Sequence, residues 1–228
     1  MNELRYTLIT DGSSDKTLMN IVHWLLDDLY PRLPCNGNFV DFRYMKNPPH
    51  AGEVEKRIRV AKDLYPFDIL FYHRDAENFD KHIIKKRKDE VLSKVDKQLA
   101  SKVVCVVPIT MMETWLLINQ EAIKKASGNR NYEEIVDLPA LSGLESIKDP
   151  KTHLHQMLRT ISGLKSRRLK TFNVHHAVHL VAENIKDYSP LRELSAFREF
   201  EKDLVTAVDL FLQNENTPYL PVPHSDSV

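Results

Sequence analysis

Short, dense apolar runs separated by stretches of helical periodicity restrict this chain to an α/β architecture more than any other feature of it. Residues 4–10 form an apolar run that stops at Asp11-Gly12, which predicts a strand ending in a turn. Ser13 or Ser14 is then placed to cap a helix whose apolar positions, Leu18, Ile21, Val22, Leu25, Leu26 and Leu29, follow the i, i+3, i+4, i+7 spacing of one buried face. Pro31 and Pro34 end it, because proline lacks the N–H that a helix interior needs. Residues 39–45 alternate as a second strand, residues 53–62 as a second helix, and residues 68–72 as a third strand running into His73-Arg74-Asp75-Ala76-Glu77. Residues 80–99 predict a long charged helix, and 103–107 a β-branched fourth strand closed by Pro108. Residues 111–119 predict a short helix.

Strands that alternate with helices imply crossover connections, and near-continuous apolar strands imply burial on both faces. The expected fold is therefore a Rossmann-like, mainly parallel sheet flanked by helices over residues 1–120. A helical part over 121–213 packs on that core, and a flexible tail of 214–228 contains three prolines. At 228 residues the chain suffices for one sizeable domain with a helical appendage.

Charge narrows the function classes. The 32 basic and 32 acidic residues cancel, so a uniformly basic surface is excluded and any polyanion site must come from local clustering. Two cysteines, Cys35 and Cys105, make neither a disulfide framework nor a metal knuckle, and Cys105 lies in an apolar run as a core thiol. The N-terminus carries no secretory pattern and no window approaches a membrane span, so the expected location is the cytoplasm, with no membrane partner. Six glycines, none in nucleotide-loop order, argue against dinucleotide binding and an ATPase within the chain, and no G-x-S-x-G supports a serine hydrolase.

What remains is acidic. In open parallel sheets, ligands sit at the carboxyl ends of the strands. Asp11 and Asp15 follow the first strand, Asp75 and Glu77 the third, and Glu113 the fourth. Asp15 also suits a first helical turn, and Asp11 before Gly12 also suits turn chemistry. A spacing of two in extended chain points Asp75 and Glu77 the same way. Glu113 lies beside Met111, Met112 and Trp115, where a carboxylate is costly without a partner. Converging carboxylates suit Mg2+ or Mn2+ rather than zinc, and such ions serve phosphodiester cleavage. Two basic runs, Lys81-Lys85-Lys86-Arg87-Lys88 and Lys165-Arg167-Arg168-Lys170, are candidates for phosphate contact or plain solvated helix faces. His175 and His179, beside His176, put two histidines four apart on a helix, with no Glu between them in metalloprotease order and no obvious third ligand. A receiver-like phosphoacceptor would need an acidic pair closer than Asp11 and Asp15.

These residues resemble a known pattern. The segment 9–15, Ile-Thr-Asp-Gly-Ser-Ser-Asp, is similar to the first motif of Toprim domains, where a strand ends in Glu-Gly. Residues 70–77 resemble the Asp-x-Asp motif after the third Toprim strand. Residues 108–117 look like the Glu-x-Trp-Leu-Leu segment of small standalone Toprim-like proteins of the DUF4276 type, which are similar to the nuclease halves of OLD-family proteins. Asp149-Pro150-Lys151 resembles their Pro-Lys segment. The resemblance implies a metal-dependent nuclease acting on nucleic acid. Asp11, Asp75 and Glu77 would be catalytic metal ligands, with Asp15 and Glu113 supporting a second metal position. Lys151 would be catalytic at the scissile phosphate, and Lys165, Arg167, Arg168 and Lys170 would bind nucleic acid. It also implies a phage-defence or mobile-element setting and a separate ATPase partner, and a homodimer is open. Asp11 stands where the family has Glu, and Glu77 where it has Asp. The alternative is therefore a catalytically degenerate Toprim-like subunit that regulates a partner ATPase or nuclease.

Overall fold

The computed structural model describes residues 3–215 apart from 13, 79, 81 and 135–137. Its centre is a four-stranded, all-parallel sheet in the order β2-β1-β3-β4, built from β1 (Leu4–Ile9), β2 (Cys35–Val40), β3 (Ile69–His73) and β4 (Val103–Val106). Every residue of β3 and β4 is buried, as two covered faces require. The period of two sorts their side chains. Phe71 packs edge-on against Tyr6 and against Phe200 of the last helix, whereas the ring of Tyr72 faces the Arg57 guanidinium on the opposite side. His73 shares the parity of Phe71.

Helix α1 (Leu18–Leu29) buries Leu18, Ile21, Val22, Leu25 and Leu26 of the predicted stripe, with Leu29 partly buried at its end. It is entered through a 3-10 turn over Ser14–Thr17. Ser13 and the side chain of Ser14, expected to cap it, lie outside the described residues. The remaining helices are α2 (Val54–Leu64), α3 (His82–Leu92), α4 (Gln120–Ala126), α5 (Pro150–Ile161), α6 (Ser166–Lys170), α7 (Val174–Asn184) and α8 (Ser195–Asn214). Asp149 caps α5 by accepting from the Thr152 N–H, with Pro150 in the first turn where its missing N–H costs nothing. Among the described residues no helix is long and apolar enough to cross a membrane.

Two boundaries differ from the sequence reading. The second strand is 35–40, not 39–45, because Asp41 accepts from the Arg43 N–H and turns 42–44 into a 3-10 segment. Its sequence, CNGNFV, carries little apolar signal because β2 is an edge strand and largely open to solvent. Gly37 opposes Tyr6 there, and any Cβ would collide with the tyrosine ring. The charged helix after β3 ends at Leu92 rather than near 99, where Asp96 instead holds a turn by accepting from the Gln98 N–H. The predicted tail from 216 onward lies outside the described residues.

The helical part after residue 120 shares one continuous core with the sheet. Trp115, fully buried, is the main link: its ring stacks on Phe200 at 5.9 Å and meets Phe197 edge-on at 5.3 Å. Tyr30 beyond α1 donates to Asp209 of α8 at 2.9 Å, and Arg192 joins Asp28 to Glu201.

Candidate active site

The strand order places the site. From β1 the chain crosses to β2 on one side, and from β2 it returns past β1 to β3 and then β4. Connections leaving β1 and β3 therefore diverge, opening a crevice at their carboxyl ends. Residues 10–12 and 15 and residues 73–75 flank it, and the turn after β4 completes it.

His73, the last residue of β3, is fully buried in this crevice. Its Nδ1 lies 3.5 Å from Asp15 and its Nε2 lies 3.2 Å from Asp75, ion-pair distances without the angles of hydrogen bonds. Burial alone would lower the imidazole's proton affinity, but the two carboxylates outweigh it and raise the pKa to about 10. His73 is thus an imidazolium clasped between carboxylates from two loops. Asp15 also accepts from the Gly12 N–H at 3.0 Å, and Asp75 from the Met112 N–H at 3.0 Å.

The Met112 contact depends on an unusual backbone. Thr110 and Glu77 both have left-handed φ, +60° and +54°, a region that costs a β-branched residue dearly. Glu77 N–H donates to Thr110 O at 2.9 Å, and Thr110 N–H donates to Asn78 O at 3.3 Å, so each loop holds the other's bend. Thr110 Oγ1 and Thr114 Oγ1 lie 3.0 Å apart, tying the following 3-10 segment, Met112–Leu116, to its entry. Glu113 consequently points inward and is only 3% exposed. Burial raises its pKa, and the nearby charges of Asp75 and Asp15 add to that against the opposing pull of Lys151, whose Nζ is 3.7 Å away.

The structure therefore brings together Asp15, Asp75, Glu113 and Lys151 of the residues singled out in the sequence. It places the others elsewhere. Asp11 is held by two arginines, Arg57 Nη1 at 2.5 Å and Arg74 Nε at 3.0 Å. Glu77 turns outward, 69% exposed at its side chain, and pairs with Arg87 at 3.2 Å because its left-handed backbone breaks the extended geometry that would have aligned it with Asp75. Lys165, Arg167, Arg168 and Lys170 form an exposed strip on and beside α6. In the first basic run, Arg87 bridges Glu77 and Glu90, and Lys88 bridges Glu199 and Asp203 of α8, so both serve internal pairing. Lys81 lies outside the described residues.

Three residues went unused in the sequence reading. His73 sits two residues before Asp75 at the end of a buried strand, so the pair that faces the crevice is His73 and Asp75 rather than Asp75 and Glu77. Arg57 occupies the apolar stripe of α2 with Val54, Ile58 and Ala61, and a cation at such a position is a readable signal. It is 3% exposed, donates to Thr10 O at 2.5 Å and lies 4.4 Å over the Phe42 ring. Arg74 is the second clamp on Asp11. Both cysteines are free, with burial pushing the Cys105 thiol up to about 12 and the Cys35 thiol up to about 11.

In this arrangement, among the described residues, no three His, Cys, Asp or Glu side chains are grouped closely enough to hold a metal ion. The donor set at the crevice is nevertheless right in kind for a hard divalent cation, and Glu113 is a buried carboxylate that a cation would relieve. Compared with family models, with curated proteins and with solved structures, the chain matches none.

Proposed function

We propose that this chain is a Mg2+- or Mn2+-dependent phosphodiester hydrolase of Toprim type acting on nucleic acid, with Asp15, Asp75 and Glu113 as its metal carboxylates. The observation that carries the reading is Glu113: a carboxylate from the turn after β4 is only 3% exposed, and burial, with the charges of Asp75 and Asp15 added to it, raises its pKa. A bound divalent ion supplies an activated water and neutralises the leaving oxygen. The chain's own residues do the rest. Met112 N–H fixes the Asp75 carboxylate, His73 holds a proton between Asp15 and Asp75, and Lys151, 41% exposed at its side chain, presents a cation to an incoming phosphate. The phage-defence or mobile-element setting and a separate ATPase partner follow from the resemblance alone.

A site that strains the fold when empty predicts a trade of stability for function. Glu113→Gln removes a buried charge whose raised pKa marks it as destabilising at neutral pH. The variant is expected to be more stable than the parent without metal, by roughly 1–2 kcal/mol, and to lose the rise in melting temperature that Mn2+ gives the parent. Thermal unfolding with and without Mn2+ checks both arms, and a parent with no Mn2+ response would sink the metal assignment.

The second reading, a catalytically degenerate subunit, is favoured by Asp11. Its two oxygens are each taken by an arginine, which makes it a structural counter-ion and leaves the first Toprim position without a free carboxylate.

A further inference from the structure

On the far side of the 3-10 turn that carries Asp15 lies a groove of about 660 Å³, large enough for a nucleotide unit. Lys16, Arg43, Tyr44, His175 and His179 line it, with Phe39 partly buried beside them. Tyr44 is the notable member. It is 87% exposed, the most exposed large hydrophobic side chain among the described residues. Its neighbour Phe42 faces inward under Arg57, so the turn after β2 holds one ring down and presents the next to solvent. The Arg43 guanidinium lies 5.8 Å from the Tyr44 ring and is fixed in place by a two-point pair with Asp41, at 2.9 and 2.6 Å.

The geometry points to this groove as a binding track for single-stranded nucleic acid, with an unpaired base stacked on Tyr44 and the backbone passing Lys16 and the α7 histidines toward the carboxylate crevice. The inference rests on the hydrolase reading for the destination of the strand, but the groove's chemistry stands by itself. Duplex binding is led by many phosphate contacts. Here Lys16, Arg43 and Asp41 leave a net charge of one among the described lining residues. An exposed aromatic face with a fixed guanidinium beside it and modest positive charge suits stacking of splayed bases. Lys16 of the groove immediately follows Asp15 of the crevice in one turn, so the two sites are neighbours.

The test is fluorescence anisotropy of a labelled 12-nucleotide mixed-sequence single strand, DNA and RNA in turn, against the same sequence as a duplex. It is run in EDTA, so binding is read without cleavage. The expected result is preference for a single strand. Tyr44→Ala should weaken binding about ten-fold, within the range set by loss of one stacked base, and Tyr44→Trp should restore it. Tyr44 is almost wholly exposed, so neither variant should disturb folding, which circular dichroism checks. Equal binding by the parent and Tyr44→Ala, or equal affinity for duplex, overturns the inference. Tyr44-dependent single-strand binding by a chain that cleaves nothing in Mg2+ or Mn2+ upholds the groove and overturns the hydrolase reading. Metal-dependent cleavage unaffected by Tyr44→Ala overturns the groove alone.

Discussion

His73→Gln is expected to destabilise the protein by about 3–5 kcal/mol at pH 7, the cost of removing one member of a buried charged group. The variant takes the imidazolium from between Asp15 and Asp75 in a site buried to 1% exposure at the ring, whose charges also act on Glu113. Urea unfolding measures the loss. Its pH dependence gives a second check whose sign is fixed. In the folded protein His73 has a pKa of about 10 against an ordinary value of 6.5, so the native state binds its proton more tightly. That contribution is complete below pH 6.5 and fades as the pH climbs through 10. The gap between parent and variant should therefore narrow in alkali. It should also narrow in acid, where carboxylates that have lost the imidazolium take up protons. If Mn2+ occupies the carboxylates, it should restore more stability to His73→Gln than it gives the parent, since imidazolium and metal then neutralise the same group. A variant as stable as the parent at pH 7 would show that His73 is not the cation of this site.

Trp115→Ala is the second large effect, expected at about 3–5 kcal/mol for deletion of a fully buried indole. The ring joins the turn that carries Glu113 to Phe197 and Phe200 of α8, so its loss opens a cavity between the sheet and the helical part. The turn should loosen with it, and the Mn2+ response should fall even under conditions where the variant remains folded. Trp115→Phe separates packing from hydrogen bonding. The Trp115 Nε1 is buried with no acceptor among the described residues, so phenylalanine keeps a ring against Phe200 and removes that donor. Its cost should be well under half that of alanine. Equal losses in the two variants would mean that the contact with α8 is not what holds the turn.

These effects explain which parts of the molecule were legible beforehand. The strands β1, β3 and β4 were readable because burial on both faces leaves a continuous apolar run, and α1 was readable because one buried face leaves a stripe. The edge strand β2 was not, since an open strand needs no apolar code. That Asp15, Asp75 and Glu113 fall at strand ends was likewise visible. Their partnership was not. It depends on backbone turns at Glu77 and Thr110 that are unusual for these residue types, and on a histidine whose role comes entirely from its neighbours. The assumption that residues 75 and 77 face the same way fails at a single torsion, the φ of Glu77. Arg57 was the overlooked clue, a buried cation on an apolar helix stripe that had to be answered by an anion, and the more open Asp11 is that anion. Asp11 is thus matched in this chain by a pair of arginines.

The most direct test of the account is cleavage by the purified chain, with a 5′-labelled single strand and a plasmid duplex incubated in Mg2+, Mn2+ or EDTA. The account predicts metal-dependent cleavage by the parent, reduced at least a hundred-fold in Asp75→Asn, in line with about 3 kcal/mol of lost transition-state stabilisation. Glu77→Gln, on the outward side of the loop, should cleave as the parent does. Cleavage that persists in Asp75→Asn, or that vanishes in Glu77→Gln while Asp75→Asn remains active, would contradict it.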